Sequence, residues 1–124
     1  CTCVMDNFKY IWFPLLLFAY QEILSAQSTL SAGDLILVTV NAAGDKNFDF
    51  VPLVDISANT VICFSDNAWN GSALKSSEGT LKYTAGSAVT AGINFSYLGK
   101  VSGDWRTEDT GFYLSGSGDN IFGF

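Results

Sequence analysis

Gly79-Thr80-Leu81-Lys82-Tyr83-Thr84 alternates polar and apolar residues one by one. Successive side chains of a strand point to opposite faces, so a period of two marks a strand with one face buried and one face wet. Ile93-Asn94-Phe95-Ser96-Tyr97-Leu98 repeats the pattern downstream. Upstream, Asp34-Leu35-Ile36-Leu37-Val38-Thr39-Val40 and Thr60-Val61-Ile62-Cys63-Phe64-Ser65 are rich in β-branched residues and nearly continuously apolar, as more deeply buried strands are. Phe48-Asp49-Phe50-Val51-Pro52-Leu53-Val54-Asp55-Ile56 adds another strand, in which Pro52 cannot donate a ladder hydrogen bond and predicts a bulge or an edge.

Shorter candidates complete the set. Val89 predicts a brief strand, and Phe112-Tyr113-Leu114 and Asn120-Ile121-Phe122-Gly123-Phe124 two more. Between them lie turn residues: Asn41 to Asn47, Ser57-Ala58-Asn59, the longer loop Asp66 to Ser77 carrying Trp69, and Ser115 to Asp119. After Gln27 no segment carries an apolar 3.6-residue period with caps. About seven short strands at turn-marked spacing predict an all-β sandwich or barrel. The last strand runs to Phe124 with no polar tail, which suggests a domain truncated at its C-terminal end.

The start of the chain is different. Ile11 to Tyr20 is uncharged and apolar over ten residues, whereas a helix crossing a bilayer needs about twenty. With Met5 as the start, Lys9 before the run and Leu24-Ser25-Ala26 after it, the segment matches a secretory signal peptide cleaved before Gln27. Residues 1–26 are therefore expected to be leader, and 27–124 the exported domain, with no membrane span after cleavage. Much of the positive mean hydropathy of +0.27 then belongs to the leader.

The domain after Gln27 carries five cations against ten carboxylates, a formal charge of −5. That balance argues against nucleic acid and anionic membranes, which require clustered Lys and Arg. Cys1 and Cys3 lie in the leader, so cleavage would leave Cys63 without an internal partner, packed as a small hydrophobe in its strand.

Histidine is absent from the chain, so a thiolate or serine nucleophile lacks its usual base. A carboxylate-dependent hydrolase would have to draw its pair from Asp66, Glu78, Asp104, Glu108 and Asp109, and no spacing singles out a pair. Asp66-Asn67 offers hard oxygen ligands of the type calcium takes, without a twelve-residue calcium loop. Trp69 and Trp105 both fall outside the strand runs. In polar loops they would be placed to stack on a sugar ring or a partner protein, with Asn67 beside them, unless each caps the end of the core.

The phrases Ala32-Gly33-Asp34-Leu35-Ile36-Leu37-Val38, Phe48 to Ile56, Thr60 to Trp69, Glu78-Gly79-Thr80-Leu81 and Leu114 to Phe122 together resemble the N-terminal β-sandwich module of secreted and surface-exposed multidomain bacterial proteins. The order of elements is also similar to lamin-tail-like domains, which are immunoglobulin-like sandwiches. The resemblance implies a non-catalytic, extracytoplasmic module working beside other domains of the same polypeptide. Its role would be that of a spacer or of an adhesion or recognition unit for a surface glycan or protein. It transfers no site residues. Cys63, where an aromatic or aliphatic residue is expected, and Pro52 depart from the pattern.

Overall fold

The computed structural model describes residues 26–109 and 111–124. The signal-peptide reading of the leader lies outside the described residues, except for Ala26. Within them the fold is all-β, with seven strands and no helix: β1 (Leu35–Asn41), β2 (Asn47–Pro52), β3 (Val61–Ser65), β4 (Thr80–Thr84), β5 (Phe95–Tyr97), β6 (Trp105–Asp109) and β7 (Phe122–Gly123). They form two antiparallel sheets, one ordered β1-β2-β5 and the other β6-β4-β3-β7. The sheets face each other as in a β-sandwich.

The alternation that marks the strands also builds the core. Phe48 and Phe50 of β2 point inward while Asn47, Asp49 and Val51 point out. Opposite them, Ile62 and Phe64 of β3, Leu81 and Tyr83 of β4 and Trp105 of β6 supply the other inner face. Phe50 meets Phe64 across the sheets at 4.8 Å between ring centroids, and Phe48 meets Trp105 edge-on at 5.6 Å. Phe95 of β5 stacks on Phe50 at 5.3 Å. Tilted, edge-on and offset contacts of this kind let ring edges meet ring faces, adding to what burial alone contributes. The interior is thus mainly aromatic, with Ile56, Ile62, Leu81 and Leu114 filling the rest.

Several expectations are corrected. Trp105 is not in a loop: it opens β6 and is 7 % exposed, opposite Tyr83 in the ladder. Its strand was hidden because Arg106-Thr107-Glu108-Asp109 is wholly polar, as suits an edge strand with one inward anchor. Lys82 and Glu108 pair at 2.9 Å on the outer side of this sheet. Conversely, Phe112-Tyr113-Leu114 forms no strand. Phe112 and Leu114 still pack into the core, but the Tyr113 N–H is taken by a side chain rather than by a ladder.

Pro52 makes neither a bulge nor an edge. It closes β2, the central strand of its sheet, at a position where a missing N–H costs least, and its carbonyl accepts from Gly92 N–H at 2.8 Å. The register shift of this sheet falls in β1 instead, between Leu37 and Thr39. Beyond Pro52 the chain leaves the sheet, so the strand expected to reach Ile56 stops short, and Val89 forms only an isolated bridge with Ile56 rather than the brief strand expected there.

Cys63 also departs from its reading. It is buried, yet it stands outside the core cluster formed by its neighbours Ile62 and Phe64. Strand alternation turns it to the other face of the sheet. It is disulfide-bonded; the chain's other cysteines, Cys1 and Cys3, lie outside the described residues, and a chain cleaved before Gln27 could not make this bond internally.

Candidate functional site at the loop end of the sandwich

One end of the sandwich gathers the β1–β2 turn, the β3–β4 loop, the segment after β6 and the residues that follow β5. Their convergence is fixed by a buried polar clasp. Asp66, directly after β3 and 1 % exposed, accepts the Gly79 N–H at 2.8 Å on one carboxylate oxygen and the Tyr113 N–H at 2.7 Å on the other. Asn67 accepts the Glu78 N–H at 2.8 Å through its amide oxygen and donates through its amide nitrogen to Ser65 Oγ at 2.9 Å. Ser65 Oγ in turn donates to the Gly79 carbonyl at 3.0 Å. Asn120 Nδ2 reaches the carbonyls of Asp66 and Asn67 at 3.5 and 3.4 Å. No buried side-chain polar atom is left unsatisfied among the described residues, which is the condition under which such a network rigidifies a loop rather than weakening it.

Above the clasp stands a miniature hairpin. Ala68 O accepts the Lys75 N–H at 2.9 Å, Asn70 N–H donates to Ala73 O at 3.0 Å, and Trp69 bridges Leu74. Asn70 closes the turn by accepting from Ser72 and Ala73. Just before the turn, Trp69 is 56 % exposed. At the same end Tyr113 is 65 % exposed, and the Lys46 ammonium lies 4.6 Å from its ring centroid while bonding the Ala42 carbonyl. That placement suits a cation–π contact.

The structure therefore separates the residues singled out in the sequence. Trp69 is a surface group, Trp105 belongs to the core, and Asn67 lies under the hairpin with its amide bonded into the clasp. Each oxygen of Asp66 accepts one backbone N–H, and the side chain is buried. No group of three or more His, Cys, Asp or Glu side chains gathers among the described residues. Asp104 lines a cleft of about 180 Å³ at the opposite end with Arg106 and Asn59. Glu108 lies on the outer side of the β6-β4-β3-β7 sheet. A second, more apolar cleft of about 300 Å³ lies between Leu30, Leu35 and Phe124.

Tyr113 was missed in the sequence because Phe112-Tyr113-Leu114 has the composition of a strand. Asn120 was passed over as a turn residue, although its amide reaches across to the β3–β4 loop. Comparison with protein-family models, with curated proteins and with solved structures finds no match to this chain.

Proposed function

We propose that this chain is a secreted, non-catalytic, immunoglobulin-like β-sandwich module of a larger cell-surface or extracellular protein, and that it meets its partner, a surface glycan or protein, through the loop end. The observation that carries the reading is Trp69. A large aromatic side chain more than half exposed on a hydrogen-bonded hairpin, braced from beneath by Asp66, Asn67 and Asn120, offers a rigid stacking surface. Rigid aromatic anchors bind at low conformational cost, because little freedom remains to be lost. Tyr113 adds a second exposed ring at the same end, and the acidic surface suits solubility outside the cell. In the absence of a ligand for Trp69 the module would serve as a spacer.

Two experiments test this. N-terminal sequencing of the protein secreted by its host should begin at Gln27; a chain still carrying Ile11 to Tyr20 would overturn export by this route. A glycan array, with extracellular-matrix proteins as additional probes, should show retention by the wild-type protein that Trp69→Ala abolishes without lowering the melting temperature. Retention unaffected by Trp69→Ala, or none at all, would remove the recognition role.

A further inference from the structure

Asn70-Gly71 is the chain's sole Asn-Gly step, and the fold places it on the exposed turn beside Trp69. We propose that Asn70 is a self-modifying site, where the Gly71 amide nitrogen attacks the Asn70 side-chain carbon and the turn itself stabilises the charge that develops. Three features of the turn favour this step.

The attacking nitrogen is available. Gly71 N–H donates to no acceptor among the described residues, and Gly71 has no side chain to crowd the approach. The leaving group is equally unencumbered, since Asn70 Nδ2 holds no hydrogen bond among the described residues. The third feature goes beyond the dipeptide. Asn70 Oδ1 accepts from Ser72 N–H at 3.0 Å, Ser72 Oγ at 3.1 Å and Ala73 N–H at 2.9 Å. That oxygen carries the negative charge of the tetrahedral intermediate, and three fixed donors surrounding it are the arrangement of an oxyanion hole.

The Gly71 N–H proton passes to hydroxide from solvent as the bond from Gly71 N to Asn70 Cγ forms. The bond from Cγ to Nδ2 then breaks, and Nδ2 takes a proton from water and departs as ammonia, leaving a five-membered succinimide. Water opens that ring at either carbonyl, giving aspartate or isoaspartate at this position. Overall one water is consumed and one ammonia released. The product puts a new negative charge next to Trp69, and the isoaspartate form lengthens the backbone of the hairpin.

The test follows conversion by peptide mapping and mass spectrometry, which read the replacement of the amide NH₂ by OH and separate the two isomers. The full chain is incubated in mildly alkaline buffer, folded in one sample and unfolded in urea in the other. The folded protein should convert faster than the unfolded chain. Ser72→Ala, at an exposed position, should slow the folded rate by roughly threefold to tenfold, less than a donor in a closed active site is worth because solvent shares the oxygen. The same substitution should leave the unfolded rate unchanged. A folded rate equal to or below the unfolded one overturns the proposal, since the turn would then protect Asn70. So does a folded Ser72→Ala protein that converts at the wild-type rate.

Discussion

Gly79 shows how much of the loop end rests on single atoms. A Cβ built on Gly79 would lie 1.9 Å from the backbone nitrogen of Phe112. Backbone on both sides leaves nothing flexible to move, so the segment after β6 can lie against the start of β4 only because Gly79 has no side chain. Gly79→Ala should cost at least about 3 kcal/mol, the upper end for overpacking a close-fitted site, read as a lower urea midpoint. Asp66 acts at the same place through its two accepted N–H groups. Asp66→Asn keeps the shape but turns one acceptor into a donor facing a backbone N–H, and should cost about 1–3 kcal/mol. Hydrogen exchange would locate that loss, with the Gly79 and Tyr113 amides losing protection before the strands do. Because Asp66 is buried and no group of three or more acidic, Cys or His side chains gathers among the described residues, millimolar calcium should leave the melting temperature of the wild-type protein unchanged. A rise reversed by chelation would show that the clasp opens to accept an ion.

At the scale of elements, the two loop tryptophans of the sequence part company. Trp105 packs against Phe48, Phe64, Tyr83 and Tyr97, and Trp105→Ala should cost about 3–5 kcal/mol by the cavity it leaves. Trp69→Ala, on the exposed hairpin, should stay within about 0.5 kcal/mol of wild type. Thermal melts of the two variants side by side measure the difference. That contrast also shows where the sequence was legible. β2 to β5 were visible because apolar residues recur at every second position or crowd together, which is how a strand lining a core must be written. β1 was visible as a strand but not for its place: its apolar run reads as deeply buried, yet it forms an edge with Ile36, Val38 and Val40 about half exposed. β6 was not visible, because an edge strand needs only one inward anchor and its remaining residues obey solvent. The segment Phe112 to Leu114 erred in the opposite sense: its apolar residues fill the core from irregular backbone whose amide is satisfied by Asp66. The candidate site was half legible. An exposed Trp in a polar loop can be suspected from composition, but the clasp beneath it joins residues 47 and 54 positions apart, and no local pattern records such pairings.

For the whole molecule, the aromatic core makes stability depend on alkaline pH. Tyr83 and Tyr97 line the space between the sheets, and burial pushes both phenols above their ordinary value of 10.0, with the nearby Asp104 carboxylate adding to the effect at Tyr83. Both causes oppose a phenolate: burial withholds water from the charge, and Asp104 repels it. A folded-state value above the unfolded one means that the folded protein binds protons more tightly through this range. The contribution is therefore fully present below the unfolded value and is lost as pH rises past it and through the folded value. Melting temperature should hold steady across neutral pH in respect of these groups, then fall once pH exceeds about 10, the ordinary tyrosine value. Tyr83→Phe and Tyr97→Phe should each flatten part of that fall, because a ring that cannot ionise has no phenolate to exclude. Asp104→Asn should flatten it less than Tyr83→Phe, since burial is the larger of the two causes at Tyr83. The check is a set of melts from neutral to strongly alkaline buffer, with tyrosinate absorbance followed in parallel. If absorbance from Tyr83 and Tyr97 rises well before the protein unfolds, the core admits water between its sheets and the coupling argued here does not hold.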